Sequence, residues 1–309
     1  MKKCLITVEG GCGKNIMMTS ILPIIKKYYD EVYIISPYYD VFKACPYVDE
    51  AFPMGQPNLY QELCLDPEMT ILWREPYSNG KFIKKEIHLF EAWLEELNIP
   101  LPEGFNAMEY TPTLNPTEEY PQIKKEVEEF INENKKIILV QFCGGQSPLG
   151  DINNTQYDDR QEGIKRNYHK AQQLINLLHD TYPDAKIIHY ALKNEPDYDN
   201  TEKIVKPYLF YNELSKHVFK TVCTDSSLQH LVSGKCKDTT VIWGETRPNH
   251  FGYNCNKNIC APNIKNSQPY FKPLGVSPAI LKFPSPEEVL RVVKMTKEEY
   301  DKDESICKM

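Results

Sequence analysis

The chain has 309 residues, a formal charge of -7, 41% hydrophobic and 26% charged residues. That length predicts two domains of roughly 150 residues each, with the composition of an ordinary soluble globular protein. The acidic balance argues against a broad electrostatic grip on nucleic acid and leaves room only for a local basic groove. No apolar run approaches the length of a membrane span, and residues 1–8 are too short and too soon interrupted for a signal peptide. A cytoplasmic protein with its ten cysteines reduced is therefore expected. Cys255 and Cys260 lack a second pair or nearby histidines, so they read as ordinary thiols and not as a zinc site.

In chain order, residues 4–8 form a short β-branched run and residues 16–29 carry apolar side chains at helical spacing. Residues 32–36 (VYIIS) read as a buried strand. A short helix, a turn at Cys45-Pro46 and a strand start near Ala51 follow. "MTILWREPY" gives another strand and residues 84–97 an amphipathic helix. Strand and helix in alternation imply a parallel sheet covered on both faces. Residues 100–121, rich in Pro, Thr, Asn and Glu, read as an interdomain connection. The pattern then restarts with a helix at 121–134, a strand at 136–142 and a turn at Cys143-Gly144-Gly145. Next come a helix at 168–182, strands at 186–190 and 221–223, helices near 211–218 and at 226–234, and a strand at 239–243. A final helix over 285–300 opens with Ser285 as cap, Pro286 in the first turn and two acids. The divisions expected are 1–120, 121–284, and a tail 285–309 that packs back on the first domain.

Two segments carry chemistry. The first is Glu9-Gly10-Gly11-Cys12-Gly13-Lys14-Asn15, which sits between a strand and a helix. A phosphate-binding P-loop needs Gly, four residues, then Gly-Lys-Ser/Thr, whose hydroxyl ligates magnesium. Counting back from Gly13-Lys14, Val8 occupies the first glycine position and Asn15 the hydroxyl position, so ATP hydrolysis is disfavoured. Two readings remain: glycines that merely permit a tight turn, or a loop whose amides face a substrate phosphate or sugar. The second segment is "KTVCTDSSLQHLVSGKCKDTTVIWGETRP". A buried strand there ends before Asp225, Ser226 and Ser227 open a helix carrying His230. Hydroxyls and amides at a helix start suit a pyrophosphate. Asp225 reads equally as a helix cap, and His230 either as a phosphate donor or as a core residue.

Asp225-Ser226-Ser227-Leu228-Gln229-His230-Leu231 resembles the Asp-Ser/Thr-Gly-x-x-His-Leu motif of heptosyltransferase-type glycosyltransferases, family 9. "KIILVQFCGGQSP", Lys165-Arg166-Asn167-Tyr168, "GGCGKNIMMTSILPIIKKYY" and "VYIISPYYDVFKACPYVDEAF" are similar to further segments of that family. "GKNIMMT" and "WREPYSNGKFIKKEIHLFEAW" more closely resemble heptosyltransferase-like bacteriophage proteins. The resemblance spans about residues 4–255. It implies the α/β GT-B fold, two Rossmann-like doubly wound domains facing across a cleft. It also implies a metal-independent, cofactor-free transfer of sugar from a nucleotide-sugar donor to a glycan, a lipid-linked sugar or a modified-DNA acceptor.

By that resemblance Ser226, Ser227 and His230 contact the donor, Lys165 or Arg166 neutralises phosphate, and Glu195 sits where the family has an acid on the ribose. Gly144, Gly145 and Ser147 are a second donor contact, and Gly10, Gly11 and Gly13 form the acceptor-side loop. The family's base, an Asp after that loop, falls on Lys14 or Asn15 here, neither an ordinary base. Glu9, which shares the loop, is the first substitute, with Asp40 and Glu75 behind it. Asp197-Tyr198-Asp199 and Asp301-Lys302-Asp303 lie in polar contexts and read as surface, not as metal motifs.

Overall fold

A computed structural model describes residues 2–133, 136–144, 167–191, 195–244, 246–262 and 283–308. The first unit runs β1 (Lys3–Thr7), α1 (Cys12–Met18), α2 (Leu22–Ile25), β2 (Glu31–Ser36), α3 (Tyr39–Lys43), β3 (Glu50–Pro53), α4 (Pro57–Leu65) and β4 (Met69–Leu72). Helices α5 (Gly80–Ile83) and α6 (Leu89–Glu96) close it, and α7 (Pro116–Glu119) and α8 (Pro121–Glu133) lead onward. Its four strands are parallel, in the order β3-β2-β1-β4.

The second unit begins with β5 (Ile137–Gln141), α9 (Ala171–Thr181), β6 (Lys186–Tyr190), β7 (Glu202–Ile204) and α10 (Tyr208–Leu214). It continues through β8 (Lys220–Thr224), α11 (Ser227–Val232), β9 (Thr239–Trp243), α12 (Pro248–Phe251), β10 (Lys257–Cys260), α13 (Pro286–Lys294) and α14 (Lys297–Lys302). Six parallel strands lie in the order β10-β9-β8-β5-β6-β7, the doubly wound arrangement. Strands β5, β8 and β9 are buried at every residue, as central strands of a sheet covered on both sides are.

Most of the expected strands are present, and the departures have local causes. The helix expected over 16–29 is two, α1 and α2. Pro23 cannot donate to the preceding turn, and the Thr19 hydroxyl bonds Ile16 O at 2.7 Å instead. The helix expected over 84–97 starts only at Leu89. Lys85 takes φ +63°, and His88 caps α6 by accepting from Phe90 N at 3.2 Å while Glu91 accepts from His88 N at 2.8 Å. Helix α4 and the short edge strands β7 and β10 carry too little periodicity to be read in advance. The final helix is also two, each opened by its own capping box at Ser285 and Thr296.

One core cluster runs from β1 and β2 through α1, α6 and α10 to α11 and the inner face of the second sheet. A second cluster fills the other face of that sheet under α9 and α13. The tail differs from expectation here: it packs on the second sheet. Val289, Val292 and Val293 give α13 one apolar stripe that enters this second core. Tyr300 Oη accepts from Asn258 N at 3.0 Å and donates to Asn258 O at 2.7 Å. The connection over 100–121 is laced to both units, through Asn115 N to Ala44 O at 2.7 Å and Asn254 N to Met108 O at 2.8 Å.

Candidate functional site

In a doubly wound sheet the crevice opens at the carboxyl ends of the strands, where the order reverses. In the first sheet that point lies between β1 and β4. The chain leaves β1 through Gly10, whose φ of +94° is open to glycine but strained for other residues. A side chain on Gly10 would also meet Lys14 Cδ at 3.2 Å. Asn15 is fully buried and serves the turn: its amide donates to Gly11 O at 3.0 Å and its carbonyl accepts from the Ser36 hydroxyl at 2.6 Å. It is thus a brace for the loop. Lys14 curls over Gly10, and its ammonium donates to both oxygens of Glu75, at 2.7 and 2.5 Å. The same ammonium lies 4.7 Å from the Tyr77 ring centre and 5.8 Å from that of Trp93. Glu75 follows β4, and its Oε1 also accepts from Tyr77 N at 3.2 Å. The Lys14 side chain is 5% exposed and that of Glu75 45% exposed, so the acid shows one face to solvent.

In the second sheet the reversal lies between β5 and β8. Asp225, Ser226 and Ser227 follow β8 there, and Gln141 at the end of β5 reaches across to accept from Leu228 N at 3.2 Å. Helix α11 is only six residues long and Gln141 already occupies one of its first amides, so its anion-binding capacity is smaller than the sequence implied. Asp225 Oδ1 accepts from Gln229 Nε2 at 2.5 Å, so this carboxylate serves the start of the helix. Gly144 N donates to Asn167 Oδ1 at 3.1 Å. Gly145, Ser147, Lys165 and Arg166 lie outside the described residues.

The two crevices meet. A methyl group on Gly13 would lie 3.0 Å from His230 Cδ2, 3.4 Å from its Nε2 and 3.7 Å from Ser227 Cα. A side chain at Gly13 would crowd the His230 ring where α1 of the first unit touches α11 of the second. His230 is 4% exposed, with Nδ1 2.9 Å from Tyr253 Oη. Behind it His88 accepts at Nδ1 from Phe90 N and faces Gly252 O through Nε2 at 3.2 Å, and burial lowers its pKa to about 3. Cys12 follows Gly11 in the same loop, and burial pushes its thiol up to about 12.

Other candidates fall elsewhere. Glu9 is exposed at the end of β1. Asp40 accepts from the Tyr120 hydroxyl at 2.9 Å. Glu195, expected on the ribose, is 7% exposed, so it is no solvated loop acid, and its Oε2 lies 3.6 Å from His189 Nε2. Burial, then the Lys203 cation, lowers His189 to about 4, so that ring is neutral. Asp197 pairs with Lys203, Asp301 with Lys297 and Asp303 with Arg291. Among the described residues no three His, Cys, Asp or Glu side chains are grouped to hold a metal ion. No helix among them is long and apolar enough to cross a membrane. Sequence reasoning missed Gln141, His88 and Tyr253. The one advance signal was a polar residue interrupting the apolar run "IILVQF".

No sequence family and no curated protein matches the chain. Solved structures do. The E. coli ADP-heptose LPS heptosyltransferase II aligns with 84% of this chain and 90% of its own at 12% identity and a TM-score of 0.58. A family 9 glycosyl transferase from Veillonella parvula DSM 2008 aligns with 97% of this chain and 95% of its own at 11% identity and a TM-score of 0.57. At such identities the likeness is one of fold, and the fold of this chain is GT-B: two doubly wound parallel sheets whose carboxyl ends meet at Gly13 and His230.

Proposed function

We propose that the chain is a glycosyltransferase that moves a sugar from a nucleotide-sugar donor to an acceptor hydroxyl. The observation that carries this reading is the contact of Gly13 with His230 and Ser227, which brings the two switch-point crevices to one place. A donor and an acceptor held by different sheets then meet without either sheet rearranging. The donor lies along the end of β8, with Ser226, Ser227 and His230 on its diphosphate, Lys165 or Arg166 as counter-charge and Glu195 toward its nucleoside. The acceptor enters over Gly10 and Gly11. Glycan or lipid-linked sugar is the acceptor class the family resemblance favours, with a hydroxymethylated DNA base as the competing one.

Glycosyl transfer passes through an oxocarbenium-like state. Hydrogen-bond donors stabilise the departing diphosphate, so no metal is required, and a carboxylate takes the acceptor's proton. The geometry favours Glu75 over Glu9 for that role. Glu75 is fixed by Lys14 and Tyr77 N beside the loop and is half exposed, whereas Glu9 lies out at the strand end. Acceptor oxygen attacks the anomeric carbon from the face opposite the diphosphate. The electron pair of the broken C–O bond leaves with the nucleoside diphosphate, the proton goes to Glu75, and the anomeric centre inverts.

Thermal stabilisation by a panel of UDP-, ADP-, GDP- and CMP-sugars tests the reading. One donor class raises the melting temperature by several degrees with or without magnesium. Stabilisation by ATP with magnesium alone overturns it. Donor binding without turnover on any acceptor class points instead to a sugar-nucleotide-binding module.

A further inference from the structure

Tyr253 is fully buried, follows α12, and presents its hydroxyl 2.9 Å from His230 Nδ1. The two rings stand edge to face, with centres 5.7 Å apart and an interplanar angle of 77°. On the far side of the imidazole, the Cδ2–Nε2 edge faces Gly13 and the first residue of α11. A neutral imidazole carries one N–H, and which nitrogen holds it is set by the partner of the other nitrogen.

We propose that Tyr253 is a positioning residue: its hydroxyl donates to His230 Nδ1 and holds the ring as the Nε2–H tautomer, aiming that N–H at the junction of Gly13 and Ser227. A phenol has a single proton to give. Burial pushes Tyr253 well above the ordinary phenol range, so that proton stays on the oxygen across physiological pH. The reverse polarity, with Nδ1–H donating to the phenol oxygen, would turn the phenol proton onto the buried Ser20 hydroxyl, which otherwise donates to that same oxygen. It would also turn a lone pair of Nε2 toward the junction, where it would repel a phosphate oxygen. His88 shows the same logic in the same wall. There a backbone N–H from Phe90 occupies Nδ1 and leaves Nε2 as the nitrogen that carries the proton toward Gly252 O.

The functional consequence rests on the glycosyltransferase reading: an N–H fixed before the donor arrives stabilises the leaving diphosphate without a change of protonation state. The tautomer itself does not depend on that reading, and the test separates the two. Histidine-selective 15N labelling with imidazole NMR reads the tautomer in the unliganded protein, the His230 signals being assigned by their loss in His230→Asn. The expected spectrum has a pyridine-like Nδ1 and a pyrrole-like Nε2. In Tyr253→Phe, which keeps the ring and its packing, the two nitrogens should average toward each other. The same variant should bind the best nucleotide-sugar of the panel roughly tenfold more weakly. A pyrrole-like Nδ1 in the wild-type protein overturns the proposal even if the variant fails to fold, as does a tautomer unchanged in Tyr253→Phe. If no nucleotide-sugar binds the wild-type protein while the Nε2–H tautomer is observed, the glycosyltransferase reading fails and the positioning role stands.

Discussion

Lys14 and Glu75 are the residues whose meaning changes most between sequence and structure. A lysine where the resembling family carries an acid looks like the loss of a base. In the fold the lysine is buried against two aromatic rings and draws an acid from the turn after β4 into the same crevice. Glu75→Gln should therefore lower transfer by on the order of 100-fold, with donor affinity within about twofold as judged by thermal shift. Glu9→Gln should stay within about threefold of wild type. A wild-type rate in Glu75→Gln combined with a large loss in Glu9→Gln would return the role to the loop acid. Asn15 illustrates the opposite outcome. Its position in the loop made it a candidate for chemistry, and in the fold its amide nitrogen and oxygen both engage in holding that loop, through Gly11 O and Ser36.

At the scale of elements, the C-terminal helices are held by an uncommon charge arrangement. Lys220 on β8 and Lys257 on β10 both reach Asp238, and their ammoniums also donate to Val293 O and Met295 O at the end of α13. Two cations thus share one carboxylate and the negative end of a helix, which spreads the cost of burying them. Burial still holds Lys257 below the ordinary ammonium range. Asp238→Asn leaves both ammoniums short of their counter-charge and should destabilise the protein by on the order of 2–3 kcal/mol, read as a lower urea midpoint. A midpoint unchanged within error would show that the helix carbonyls alone suffice. This clamp also accounts for the tail lying on the second sheet: the partners that hold α13 are on β8 and β10.

At the scale of the molecule, buried histidines link folding to pH. His88 is lowered to about 3, chiefly by burial. His189 and His250 are lowered to about 4 by burial first, and then by the cations Lys203 and Arg247 respectively. Between those values and the ordinary 6.5 the unfolded chain binds protons that the folded protein does not. Stability therefore rises with pH across that window: it is fully present above 6.5 and is lost as pH falls toward 4 and then 3. Each such histidine contributes at most about 1.4 kcal/mol per pH unit. Urea midpoints at pH 7, 5 and 4 should fall steadily, and a flat profile would mean that these rings are accessible to protons in the folded state. Two of the three, His88 and His250, lie where the units pack, beside Gly252 and Phe82, so acid should loosen this junction early.

Most strands, the Ser285 cap and the two chemical loops were legible because each is a local pattern. Short β-branched runs such as "KIILVQF" and "TTVIW" read as strands of a doubly covered sheet, and Ser285-Pro286-Glu287-Glu288 announces a helix through its own hydrogen bonds. Helix breaks at Thr19 and Met295, and the edge strands β7 and β10, were less legible because their causes are a single proline, a competing cap or a neighbouring strand. Partnership across long separations was not legible at all. Lys14 with Glu75, Gly13 with His230, His230 with Tyr253 and Gln141 with Leu228 are each brought together by packing of elements far apart in the chain. The sequence by itself determined that two parallel α/β units would form and which loops end their strands. Only the tertiary structure decided which acid faces the loop, which serine and histidine meet Gly13, and which nitrogen of His230 is bonded. The physical reason is that side-chain chemistry at a crevice depends on through-space neighbours, whereas strand and helix patterns depend on residues a few positions away.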